Sequence, residues 1–488
     1  MPETPPSRTS PPHPPVALTA EWRAELLEAL PPVPEGCAVR TGPLAVSDGT
    51  RSAAAVLAVW NFRVAGGSFG EADASSFCAA VDTAIELRLP LVSVTRSGGT
   101  RLPEGMQALV GMPRVVLALR RLAAAGIPHV SVLDRPTTGG VFVTVASRAD
   151  VRLAVAGGVV GFAGPRVVEA VTGALPEGSH QAETAAAHGL VDALLPAEEL
   201  PGALLTTLLA LPTAPADPPV PAVPPGAAPT VPDRDGPAQV AWCRTVDRPE
   251  GAALLDQLVT GGTALAAADG SVAARVGRLG GGRSVVGVAL AAQRSGRPTP
   301  DGFRLLTRAA GLAGRWGVPL LTLVDTPGAE PGAAAENDGL AAAIGEAMEA
   351  VLTCPSPTLA VLHGEGGSGG ALAAAATDLL LVTPDAYFAA LVPEGASAAL
   401  RRPVDEAAAL LRLTPADLLE QGVADALVSS PGIGYPAAST AADLLSRVVT
   451  GMEQLVAADP GQRLRDRWTR WSSPLSERWP TSLRDSEV

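Results

Sequence analysis

The chain repeats itself. "LPLVSVTRSGG" from Leu89 returns as "VPLLTLVDTPG" from Val318, with Pro90 and Pro319 lying 229 residues apart. "IPHVSVLDRPTTGG" from Ile127 returns as "SPTLAVLHGEGGSGG" from Ser356, with Pro128 and Pro357 again 229 apart. Gly139 pairs with Gly369 at 230, Asp150 with Asp378 at 228, and "HGLVDAL" from His188 with "QGVADAL" from Gln421 at 233. Offsets this steady over about 100 residues mean two copies of one domain, because solenoid repeats have periods of about 20–50.

Each copy alternates short apolar runs with helical stretches. "PLVSV", "HVSVL" and "DVRLAV" in the first half, and "PLLTLV", "TLAVL" and "DLLLV" in the second, are rich in Val and Leu, as in strands buried on both faces. "MPRVVLALRRLAAAG" and "GLAAAIGEAMEAVL" lie between them and read as helices. The alternation predicts an α/β fold with parallel-type sheets and covering helices. Its glycine-rich turns follow strands, where open α/β folds place ligands.

Proline marks the boundaries. The segment Pro212–Pro237 contains "PADPPVPAVPPGAAP" and reads as a semi-rigid linker, since proline lacks the amide donor and favours extended backbone. The reading divides the chain into a disordered Pro-rich segment 1–35, an N-terminal domain 36–210, a linker 211–238, a C-terminal domain 239–455 and a Trp/Arg-rich tail 456–488. The tail carries Trp468, Trp471 and Trp479 and reads either as a docking tail or, by preference, as a helix packed back on the body.

Composition narrows the function classes. Net charge −13 argues against nucleic acid, which selects basic faces, but leaves room for CoA, whose phosphates need only a local cluster of cations. No run of about 20 apolar residues could span a bilayer, and the Pro/Ser-rich start lacks the order of a secretory signal, so a cytoplasmic location is expected. Cys37, Cys78, Cys243 and Cys354 are far apart and form no C-x-x-C pair, so no metal is expected. Every basic side chain is Arg; the sequence contains no Lys. A Schiff base, a P-loop lysine and covalently attached biotin are therefore all excluded from this chain.

The chemistry falls to the glycine turns. Thr137-Thr138-Gly139-Gly140 and Gly366-Gly367-Ser368-Gly369-Gly370-Ala371 each stand between a strand and a helix. Glycine lets backbone approach a ligand, and helix-start N–H groups carry partial positive charge that suits a developing oxyanion. The usual side-chain engines are missing: no zinc-ligand histidine spacing and no G-x-S-x-G elbow occurs. His129 reads as a core residue, His363 as a possible ligand contact, and Asp325, Glu330 and Glu365 as loop-fixing residues.

At this point the residues resemble a known family. "NFRVAGGSFG", "RLPLVSVTRSGGTRL", "PTTGGVFVTVASRADVRLAV" and "GFAGPRVVEAVTGALPEGSHQAE" are similar to the beta carboxyltransferase subunit of bacterial acetyl-CoA carboxylase. "PDGFRLLTRAAGLAGRWGVPLLTLVDTPGAEPG", "HGEGGSGGALA" and "LVPEGASAAL" are similar to its alpha subunit, in beta-then-alpha order over about residues 40–200 and 240–450. The resemblance implies two tandem crotonase (ClpP-like) domains and transfer of a carboxyl group from carboxybiotin to acetyl-CoA, giving malonyl-CoA for fatty acid biosynthesis. Biotin would arrive on a biotin carboxyl carrier protein loaded by an ATP-dependent biotin carboxylase. The decarboxylated biotin would take the α-proton of the acyl-CoA, and the thioester enolate would attack CO2.

Site roles follow from the same resemblance. Gly139 and Gly140 would supply the oxyanion hole for the thioester, and Gly370 and Ala371, beside Gly369, would hold the biotin ureido oxygen. Gly66, Gly67, Ser68, Ser97, Gly98, Gly99, Arg101 and Arg166 would face CoA. The family works as a dimer with sites between the N-half of one partner and the C-half of the other, so a homodimer is expected. Three departures stand out. A four-cysteine zinc ribbon does not precede residue 40, Thr100 and Pro103 replace the usual Ala and Gln, and the two subunits are fused. Carboxylation of propionyl-CoA or another acyl-CoA, a decarboxylase of the same fold, and a degenerate scaffolding subunit remain alternatives. A hydratase of this fold would need an acid beside the turn that "GGVFVT" and "GGALAAA" lack.

Overall fold

The computed structural model describes residues 15–175, 177–212, 229–430 and 437–473. The chain divides into two compact units, Met1–Ala214 and Pro215–Val488.

The first unit is built on one sheet of β1 (Val16–Ala17), β2 (Val39–Ser47), β3 (Ser52–Trp60), β4 (Leu91–Ser97), β5 (His129–Thr138), β6 (Val151–Val155), β7 (Val160–Gly161) and β8 (Ala193–Leu195). The order is β1-β2-β3-β4-β5-β6-β8, with β7 added to β5. Only β2 and β3 run antiparallel. Their turn is "DG": Gly49 takes φ +93°, which suits glycine, and the Asp48 carboxylate accepts the amides of Thr50 (3.0 Å) and Arg51 (2.7 Å). The helices Glu71–Leu87 and Met106–Ala124 cover β3 and β4, burying Trp60, Phe69, Phe77, Val115 and Leu122 in one apolar cluster.

The second unit repeats the plan with β9 (Val259–Leu265), β10 (Ala273–Leu279), β11 (Ser284–Leu290), β12 (Leu320–Thr326), β13 (Thr358–Gly367), β14 (Leu379–Val382), β15 (Tyr387–Ala389) and β16 (Ala426–Leu427). Here β9, β10 and β11 are antiparallel and the remaining pairs parallel, with β15 added to β13 as β7 is to β5. Every residue of β11 and β12 is buried, the consequence of helices on both faces of a parallel sheet. Leu444, Val448 and Met452 of the helix Ala437–Ala457 pack with Leu321, Leu323, Leu359 and Val361.

The repeated aspartates have a structural purpose. Asp150 accepts the amide of His129 (2.9 Å) and Asp378 that of Thr358 (2.8 Å), each at the start of the central strand. Asp192 and Asp425 do the same for Arg152 (2.8 Å) and Leu380 (2.7 Å) on the next strand. An unpaired buried amide costs about 1–3 kcal/mol, so these four carboxylates fix the lower edge of both sheets.

One sequence expectation changes. Residues 16–30 are ordered rather than part of a disordered segment: Trp22 and Leu26 of the helix Trp22–Ala29 are fully buried, and Arg23 pairs with Asp134 at 2.7 Å. Proline content misled there, because the apolar spacing of Trp22, Leu26 and Leu30 outweighs it. In the tail, Pro460–Ser472 is a helix packed on the second unit through Arg463, Arg467 and Arg470, and Trp479 lies outside the described residues. The linker expectation falls mostly outside the described residues, and the helix Gly236–Thr245 already begins within its span. Among the described residues, no helix is long and apolar enough to cross a membrane.

Candidate functional site

Both central strands carry two extra residues just before their glycine turn. The β4–β5 register steps from Thr95↔Leu133 to Ser97↔Thr137, and the β12–β13 register from Val324↔Leu362 to Thr326↔Gly366. The bulges bend the strand and aim the turn, as bulges beside active sites do. Each strand then enters a helix, Gly139–Thr144 in the first unit and Ser368–Ala375 in the second.

The first residue of each helix is left-handed, Gly139 at φ +67° and Ser368 at φ +64°. The backbone thus matches Gly139 with Ser368, at 229, rather than with Gly369 as the glycine pairs suggest. Facing each turn is the loop after the neighbouring strand. The Ser97 hydroxyl accepts the Gly99 amide at 3.1 Å, and the Thr326 hydroxyl accepts the Gly328 amide at the same distance. The approach is tight: a Cβ on Gly139 would lie 2.5 Å from the Gly99 Cα.

In the first unit the fold brings most of the expected residues together. The Gly98 amide donates to the Gly66 carbonyl at 3.0 Å, and a Cβ on Gly67 would stand 2.0 Å from the Arg96 carbonyl oxygen. Gly66, Gly67, Ser68, Ser97, Gly98, Gly99, Gly139 and Gly140 therefore form one continuous backbone surface. Two details differ from the expectation. The Gly139 amide already donates to the Phe162 carbonyl at 2.9 Å, which leaves Gly140 as the helix-start donor of that pair. Arg101 is a staple rather than a free cation. Its guanidinium binds Asp73 (2.7 Å) and the carbonyls of Ser68 (2.5 Å) and Gly36 (2.5 Å), holding the Gly66–Ser68 turn in place. Arg166 is exposed on the separate helix Pro165–Thr172.

In the second unit, Gly369, Gly370 and Ala371 form the first turn of their helix, where N–H groups lack intrahelical acceptors. A Cβ on Gly370 would meet the Ala329 amide nitrogen at 2.9 Å, whereas Gly369 faces open space. Beneath this turn lies a polar network that the sequence only hinted at. Arg248 grips Asp325 with two 2.8 Å hydrogen bonds, both side chains being buried. Burial disfavours both charges, but the mutual bonding outweighs it: Asp325 sits below the usual carboxylate range and Arg248 above its ordinary value. Glu365 accepts the Tyr387 hydroxyl at 2.5 Å and Arg244 at 3.2 Å. Burial and then the Glu365 charge push the Tyr387 phenol upward.

Sequence reasoning missed Arg244, Arg248, Tyr387 and Glu394. Their pairings span 22 to 150 positions, Arg248 reaching Asp325 across 77, and spacing does not encode such contacts. His129 is a core residue, bonded to Ser93 Oγ at 2.9 Å and held neutral by burial, which lowers its pKa to about 3. His363 is fully enclosed, with neither ring nitrogen hydrogen-bonded and its pKa lowered by burial to about 4. Both imidazoles are therefore neutral at pH 7, and burial makes them weak proton acceptors. Among the described residues, no three His, Cys, Asp or Glu converge on a metal-sized site.

Comparison with known proteins agrees with this plan. Residues 243–474 match the family described as acetyl co-enzyme A carboxylase carboxyltransferase-like. A Salinispora arenicola protein named acetyl-coenzyme A carboxylase carboxyl transferase subunits beta/alpha is 41% identical over 402 residues, covering 77% of this chain and 71% of the relative. A Mycobacterium bovis protein named probable biotin-dependent acyl-coenzyme A carboxylase beta3 subunit is 36% identical over 377 residues, 75% of each chain. Among solved structures, transcarboxylase 12S superposes with a TM-score of 0.71 at 20% identity, covering 88% of this chain and 83% of that one, which shows the tandem crotonase-like fold. The chain belongs to the biotin-dependent acyl-CoA carboxyltransferase family, as a beta-then-alpha fusion built on two crotonase-type units.

Proposed function

We propose that this chain is the carboxyltransferase component of an acetyl-CoA carboxylase, making malonyl-CoA for fatty acid biosynthesis in the cytoplasm. It would act as a homodimer alongside a biotin carboxyl carrier protein and a biotin carboxylase. The observation that carries the reading is the pair of matched glycine turns, each set by a two-residue bulge and a left-handed first residue. Two turns of one design suit a reaction with two carbonyl-bearing partners.

The first unit would hold the acyl-CoA thioester. The Gly140 amide faces the charge that builds on the thioester oxygen, with Gly139 fixing the turn; a well-placed donor of this kind contributes about 2.7–4 kcal/mol. Gly66, Gly67, Ser68, Ser97, Gly98 and Gly99 would line the CoA path, Arg101 would hold that path rigid, and exposed Arg166 would meet a CoA phosphate. The second unit would take the biotin ring, whose ureido oxygen suits the helix-start amides of Gly370 and Ala371. The open space at Gly369 and the close backbone contact at Gly370 fit a planar ligand lying on the turn. Carboxybiotin, when bound, supplies the carboxyl group. The chain itself orients both partners, and His363, enclosed and with its pKa lowered to about 4 by burial, is too weak and too inaccessible to take the α-proton.

The test is carboxyl exchange between free biotin or carrier and malonyl-CoA. Exchange is expected in the native protein, and its loss in Gly140→Val and in Gly370→Val with folding retained. No exchange with any short acyl-CoA would sink the enzyme assignment, and near-normal rates in either variant would sink the backbone assignment. The Mycobacterium relative is named for acyl-coenzyme A without a chain length, which supports a second reading in which the substrate is propionyl-CoA or another acyl-CoA. The ratio of exchange with methylmalonyl-CoA to exchange with malonyl-CoA decides between them.

A further inference from the structure

We infer that Arg244, Arg248, Asp325, Glu365 and Tyr387 form a positioning network that sets the second glycine turn for the biotin side of the reaction. The inference rests on the reading that this turn receives biotin.

The internal repeat serves as a control. Both copies contain the same bulge, so the fold alone requires whatever both copies share. At the bulge the first copy has Asp134, Arg135 and Pro136, and the second has His363, Gly364 and Glu365. Pro136 has no N–H, so the first bulge needs no acceptor there. Glu365 has one, and it donates to Asp325 at 2.9 Å. The position matching Asp325 in the first copy is Arg96, whose exposed side chain reaches the Arg135 carbonyl at 2.8 Å. Both copies thus hold a buried carboxylate paired with an arginine at the bulge, Asp134 with Arg23 at 2.7 Å in the first, but only in the second does that carboxylate accept a bulge amide and adjoin a second carboxylate, Glu365, that takes Tyr387 and Arg244. A buried ion pair is by itself weak evidence for stability, since apolar packing of the same volume is often as stable.

What the network does is fix a stretch of backbone from several sides. Arg248 binds Asp325 twice, the Cys243 carbonyl and, at 3.1 Å, Ser295 Oγ. Asp325 then holds the Glu365 amide, and a Cβ on Gly364 would lie 2.1 Å from the Asp325 carboxylate, so the strand passes hard against it. The Glu365 carboxylate takes Tyr387 from β15, which pairs with β13 at that same residue, and Arg244 from the helix Gly236–Thr245. Arg244 is tied on its outer side to Glu394 at 2.5 and 3.1 Å. Three residues beyond Glu365 comes left-handed Ser368, and after it the amides of Gly369, Gly370 and Ala371. A shift of the bulge therefore moves those amides directly.

The experiment compares wild type, Glu365→Gln and Tyr387→Phe in the full-length protein. Backbone amide exchange is followed over 366–372 and over 137–142, and biotin-dependent decarboxylation of malonyl-CoA is assayed with free biotin. Glu365→Gln is expected to accelerate exchange over 366–372 at least fivefold and to leave 137–142 unchanged. It should lower kcat at least tenfold with KM for malonyl-CoA within twofold, and Tyr387→Phe should act in the same direction less strongly. If Glu365→Gln does not fold, Tyr387→Phe, which lacks one oxygen, carries both readouts. Unchanged exchange with kcat within threefold overturns the inference, as does equal acceleration in both turns, which would mean general loosening. Wild type without biotin-dependent decarboxylation, but with the exchange pattern expected, would overturn the biotin reading and leave the hold on the turn standing.

Discussion

Arg467 offers the sharpest test of what secures the second unit. Its guanidinium is wholly buried and makes six hydrogen bonds: to both Asp378 oxygens (2.7 and 2.6 Å) and to the carbonyls of Val351 (3.0 Å), Leu352 (3.3 Å), Cys354 (2.7 Å) and Ser356 (3.0 Å). Those carbonyls end the helix Leu340–Leu352 and lead into β13, so one side chain ties the last helix to the base of the sheet. In Arg467→Met the stem volume remains but Asp378 keeps only Arg463, at 3.7 Å, and the Thr358 amide and hydroxyl. Removing one partner of a buried pair costs about 3–5 kcal/mol. At about 2–4 °C per kcal/mol for a unit of this size, Tm for the second unit should fall by roughly 6–20 °C. Arg467→Lys should recover only part, because an ammonium cannot serve a carboxylate fork and four carbonyls together. Calorimetry of the full chain reads the shift. The arginine lies at the opposite end of the strands from the glycine turns, so kcat at 25 °C should stay within twofold. A Tm change below about 2 °C in Arg467→Met, with the helix Pro460–Ser472 still protected from proteolysis, would refute the reasoning.

Gly139→Ala places a Cβ at φ +67° and 2.5 Å from the Gly99 Cα, so beyond about 1–2 kcal/mol of left-handed backbone cost it must spread the loop; Tm should fall and KM for acyl-CoA should rise at least tenfold. Gly369→Ala adds the same methyl where nothing stands within 4 Å, so Tm should stay within 1 °C, and any loss of exchange activity reports a ligand in that space. Acid should destabilise the fold through His129 and His363, whose folded pKa values are depressed to about 3 and about 4. Below about pH 6.5 the unfolded chain takes up protons that the folded chain refuses, so stability is full above that pH and falls towards pH 4; at pH 5 each imidazole costs roughly 2 kcal/mol. Urea midpoints at pH 7 and pH 5 measure this, and His129→Gln should halve the difference.

How much of this was written in the sequence depends on whether a feature is local. The strands, their order and the doubling of the fold follow from apolar runs and a constant offset, both of which survive in a single line of residues. The glycine turns were visible for the same reason, yet their register was off by one. Glycine pairs align Gly139 with Gly369, while the backbone aligns Gly139 with Ser368, because what the fold repeats is a left-handed φ and not a residue type. A serine can occupy that well at a cost of about 1–2 kcal/mol, so identity hides the equivalence. Arg101 shows the converse. The resemblance implied that it faces CoA; in the fold its guanidinium also binds the buried Asp73 carboxylate and the Ser68 carbonyl, a tie that no motif spells out. The network under the second turn was least legible of all. Asp325 and Glu365 read as loop-fixing residues, which they are, but their partners come from the helix Gly236–Thr245 and the segment after it, far upstream, and from β15, a short strand added at the same bulge. Such contacts exist only once the sheet has closed, and they set the second turn apart from the first within a shared fold.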